Sequence, residues 1–76
     1  MNNLTRVICD LAADRYHIEF IGGIHYALGR GMLVTVSKAI YSASSFISDD
    51  EISEEKIMSE IAKCKLDILV LMEANE

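Results

Sequence analysis

The 76-residue chain contains no proline, two cysteines, four glycines and seven basic residues. Without proline, the Gly22-Gly23 pair is the one strong internal punctuation mark. Two cysteines cannot form the disulfide framework of a stapled miniprotein, and no two ligands stand in the close pairs that zinc sites use. The two histidines, His17 and His25, are eight residues apart and supply no such spacing. The seven basic residues are outnumbered by twelve acidic ones, giving a net charge of −5. An acidic surface repels phosphate, which disfavours direct nucleic-acid binding. Long apolar runs are missing as well. Between Phe20 and Ser48 the only formal charges are Arg30 and Lys38, yet the longest uncharged stretches, 20–29 and 39–48, are ten residues each. A spanning helix needs about 20 predominantly apolar residues. No segment has the form of a secretory signal and the thiols fit a reducing compartment, so a cytoplasmic protein is expected.

Half of the residues are hydrophobic (51%), which is incompatible with a disordered chain. The length fits a single domain over residues 1–76, able to bury roughly 60% of its unfolded surface, so a lone copy is marginally stable. Charge is unevenly placed. Residues 1–47 hold four cations against three carboxylates, whereas 48–76 hold three cations against nine carboxylates.

Apolar periodicity favours an all-α chain, a helical hairpin or three-helix bundle with helices at about 3–21, 24–44 and 49–74. In the first, Leu4, Val7, Ile8, Leu11, Ile18 and Ile21 form one stripe, and Asn2 or Asn3 provides a cap. In the second, Ile24, Leu28, Met32, Val36, Ile40, Ala43 and Ile47 follow at steps of three or four. Gly23, Ala27 and Gly31 add a row of small residues for close helix approach. The alternative is an α+β chain with a β-hairpin around Gly22-Gly23, supported by Val34-Thr35-Val36. Its weakness is that Ile21, Ile24, Tyr26 and Leu28 would share a strand face with His17 and Glu19. The third helix is the clearest. Ser48 and Glu51 have the form of a capping box, and Ile57, Ile61, Cys64, Ile68 and Leu71 repeat at steps of 4, 3, 4 and 3. Beyond that seam, Leu66 through Met72 is apolar nearly all round, and such a helix needs cover on every side.

These features predict a non-enzymatic protein–protein interaction module: a small regulator, adaptor or inhibitor that occupies a partner's surface. A homodimer is expected through Ile57, Ile61, Cys64, Ile68, Leu71 and Met72. Asp49, Asp50, Glu51, Glu54 and Glu55 form the expected recognition face for a further protein partner, with a basic partner favoured by charge. A rival reading takes the same carboxylates as a nucleic-acid mimic that blocks a DNA- or RNA-binding protein, and a third makes the chain a small membrane-associated protein. No catalytic constellation, cofactor motif or metal site is expected. Cys64 lies on the apolar seam, Cys9 has no supporting motif, and Gly29-Arg30-Gly31 lacks the spacing of a phosphate loop.

Overall fold

The computed structural model describes residues 2–26 and 29–75. The chain is α+β, with helix α1 (Asn3–Ala13), strands β1 (His17–Tyr26), β2 (Gly29–Lys38) and β3 (Tyr41–Ser48), a 3-10 turn at Asp49–Glu51, and helix α2 (Glu54–Ala74). The strands form one antiparallel sheet in the order β1-β2-β3. The expected all-α bundle is thereby overturned, because His17–Tyr26, Gly29–Lys38 and Tyr41–Ser48 form strands instead of helix.

The first helix stops eight residues early, and its end shows why. Asn2 caps it as expected, its side-chain oxygen accepting from the Thr5 amide at 2.7 Å. At the far end Arg15 takes a left-handed conformation, φ 68°. The Tyr16 amide donates to the Leu11 carbonyl at 2.9 Å and the Arg15 amide to the Ala12 carbonyl at 3.0 Å. This pair of reversed bonds is a Schellman motif, which closes a helix and usually has glycine where Arg15 stands. Tyr16 and Leu11, which accompany the motif, are both buried. Tyr16 also lies between two cations, with Lys38 Nζ 4.6 Å and Lys65 Nζ 5.8 Å from its ring centre.

The glycine pair breaks neither a helix nor a strand. Ile21 pairs with Leu33 and Ile24 with Gly31, so Gly22 and Gly23 together oppose Met32 in a β-bulge. Gly23 has φ 69°, a value that glycine adopts without steric penalty. The bulge shifts the strand's face by one residue, which places both Ile21 and Ile24 on the side of His17 and Glu19. Strand pairing continues to Tyr26 opposite Gly29, so the hairpin turns beyond the glycine pair rather than at it. Ala27 of the small-residue row and Leu28 of the helical stripe lie outside the described residues.

Register fixes two faces. Met32, Val34 and Val36 of β2 align with Ile47, Ser45 and Ala43 of β3 on the side covered by α2. Val34, Val36 and Ile47 are fully buried there with Ile61, Cys64 and Ile68 of α2, and Leu11 and Tyr16 complete the core. The opposite face carries the Thr35–Ser44 hydroxyl pair at 3.0 Å and Gly31, where a Cβ would meet the Ile47 carbonyl and the Phe46 ring. Among the described residues no element covers that face. The Cα extents, 38 × 32 × 15 Å, fit one helical layer on one sheet.

Helix α2 begins later than its sequence signal. Ser48 makes no side-chain cap, and residues 49–51 form the 3-10 turn. Ser53 is the cap, accepting from the Lys56 amide at 3.1 Å.

Candidate functional site

Helix α2 has two apolar sides with different fates. Ile57, Ile61, Cys64 and Ile68 are the heptad seam, and the sheet takes it. Ile61, Cys64 and Ile68 are at most 2% exposed, and Ile57 and Met72 pack partly buried against the same core. Of the residues expected to join two copies, only Leu71 is exposed, so the seam as a whole is satisfied within one chain. The second side was left out of the expected contact and is open. Leu66 is 61% exposed, Val70 58% and Leu69 40%.

The length of α1 creates this exposure. Its 11 residues rise about 16 Å against about 31 Å for the 21 residues of α2. The two helices start together, the Leu4 amide donating to Glu54 Oε1 at 3.1 Å. They run side by side along a groove of about 290 Å³ lined by Val7, Asp10, Leu11, Met58, Ile61, Ala62 and Lys65. At Lys65 the cover ends, because the Schellman turn has taken the chain away into β1. Leu66, Leu69 and Val70 lie just beyond. A first helix continuing to Ile21, as the periodicity predicts, would have run alongside Leu69, which continues the Met58, Ala62 and Lys65 side of α2.

The carboxylates expected as a recognition face are all exposed, on the 3-10 turn and the first turn of α2. Asp49, Asp50 and Glu51 are exposed on the 3-10 turn, and Asp49 Oδ2 lies 4.0 Å from Arg30 Nε with both side chains more than half exposed, a weak pair. Glu54 is engaged at the amino end of α1, while Glu55 is exposed beside it in the first turn of α2. The negative charge there favours a helix start whatever else it does.

Glu60 is the one buried carboxylate of the described core, 5% exposed. Its Oε1 lies 3.6 Å from Lys56 Nζ and its Oε2 3.3 Å from Lys63 Nζ. Burial by itself raises the pKa of this carboxyl, but the neighbouring Lys63 and Ser45 side chains and the charges of both lysines outweigh it and hold the group below its usual value. Glu60 is thus held in its ionised form by two lysines of its own helix. Burial, reinforced by the charges of Asp67 and Glu60, raises the Cys64 thiol, which makes it a poor nucleophile. Cys9 is exposed on α1.

The sequence matches no protein-family model, no curated protein and no solved structure. Among the described residues no three His, Cys, Asp or Glu side chains are grouped to hold a metal ion, and no helix is long and apolar enough to cross a membrane. Large apolar side chains are exposed on α2 and, elsewhere, at Phe20, Ile21, Ile40 and Ile52. Leu66, Leu69 and Val70 were legible in the sequence as the residues left over once the heptad seam is subtracted from a helix apolar all round.

Proposed function

We propose that the chain is a non-enzymatic protein–protein interaction module that binds by laying the outer face of α2 against another polypeptide. The observation that carries this reading is the exposure of Leu66, Leu69 and Val70 on a helix whose other side is anchored in the core. Clustered large apolar side chains on a small domain mark contact sites, and helix faces dock into partners through side chains at such three- and four-residue spacings. The adjoining α1–α2 groove extends the apolar surface towards Val7 and Met58. Action as a regulator, adaptor or inhibitor follows from occupying a partner's surface, and two free cysteines accord with a cytoplasmic setting.

The test is affinity capture from the native host with the wild-type chain and with Leu66→Lys/Val70→Lys. Both positions are exposed, so the variant should keep its circular dichroism spectrum. Loss of specifically bound protein from the variant is the expected result. An unchanged set of bound proteins refutes the reading.

A further inference from the structure

The outer stripe of α2 has a symmetry of its own, and we infer that its occupant is a second copy of this chain, packed antiparallel about a two-fold axis level with Ile68. This inference rests on the interaction-module reading and names the partner.

Three residue pairs share one midpoint. Leu66 and Val70, Lys63 and Glu73, and Ala62 and Ala74 are each placed evenly about position 68. A two-fold axis there sets Leu66 against Val70 of the second copy and Lys63 against Glu73 of the second copy, with each contact made twice. The alanine pairs fall at the two ends, where Ala62 also borders the groove beside α1. A self-complementary contact needs apolar and charged patterns with a common centre, and an unrelated partner does not. All six residues are exposed on α2.

The charges fit this occupant. Lys63 reaches Glu60 at 3.3 Å yet is 69% exposed, and an ammonium has three donors, so it can serve a second carboxylate. Helix α2 has no basic residue in its last turn, which leaves Glu73 close to the negative end of the helix dipole. Lys63 of the second copy supplies the missing cation. Helix α1 lies on the Met58, Ile61, Ala62 and Lys65 side of α2, which leaves Leu66 and Val70 open to that helix.

Sedimentation equilibrium of the full chain over about 5–500 μM tests the inference, because a dimer shifts with concentration by mass action. The expected species is a reversible dimer of the 8.5 kDa subunit. Glu73→Lys sets four lysines around the contact and should weaken the dimer about tenfold, and Lys63→Glu/Glu73→Lys should return it to within about threefold of wild type. Circular dichroism confirms that each variant is folded. A wild-type chain that stays monomeric throughout overturns the inference, as does a dimer indifferent to Glu73→Lys or a double variant that is not restored. If the wild type is monomeric while Leu66→Lys/Val70→Lys still loses captured host proteins, only the second-copy assignment fails. If neither effect occurs, both readings fail.

Discussion

The two sides of α2 make opposite predictions for truncations two residues apart. Ile68 is fully buried between α2 and the sheet, while Leu66 is 61% exposed. Ile68→Ala removes apolar contacts with the core and leaves a cavity that the surrounding β-sheet can only partly close. Large-to-small changes at such sites cost about 2–5 kcal/mol. A domain of 76 residues has about 4–11 kcal/mol in total, so Ile68→Ala should remove a large share of it. At this size the loss corresponds to a fall in Tm of roughly 10–30 °C. Leu66→Ala creates no cavity, and alanine is the better helix former, so its effect should stay within about 0.5 kcal/mol. Urea unfolding followed by circular dichroism, repeated at two protein concentrations, measures both and separates folding from self-association. Equal losses at the two positions, or a near-neutral Ile68→Ala, would refute the assignment of the heptad seam to the subunit core.

Two further outcomes follow from the backbone and the buried carboxylate. Arg15→Gly should stabilise the chain by roughly 0.5–1 kcal/mol, because a left-handed residue with a Cβ costs about 1–2 kcal/mol and the entropy of glycine offsets part of the gain. A lower Tm for this variant would mean that the Arg15 side chain does more than occupy the turn. Glu60 has a folded pKa below its ordinary 4.5, so the stability it contributes is present above that value and is lost as pH falls through the folded pKa. Glu60→Gln should therefore be less stable than wild type near pH 7, with the gap closing as pH falls below 4.5 and wild-type Glu60 takes up its proton. A gap that stays constant over that range in parallel urea titrations contradicts an ionised, lysine-held Glu60.

The sequence by itself determined a first cap at Asn2 or Asn3, the long last helix, and the fact that its residues 66–72 present apolar side chains nearly all round. These are local matters of hydrogen-bonding side chains and of spacing within one element. It could not tell what the middle of the chain would become. Met32, Val36 and Ile40 are four residues apart, and four is a multiple of the strand period as well as close to one helical turn. Such a stripe reads equally well on a helix and on a strand, and in the structure Met32 and Val36 share the inner face of β2 while Ile40 sits 89% exposed in the turn after it. The bulge at Gly22-Gly23 hid the alternation of β1 by shifting its face midway. Tertiary structure also decided where α1 ends, through an arginine in a conformation that glycine usually takes, held by the burial of Leu11 and Tyr16 on either side of it. That early end decided which side of α2 the chain covers for itself. A heptad stripe records that a helix has an apolar face to bury, but whether a sheet of the same chain or another molecule buries it depends on which surfaces the remaining elements bring within reach.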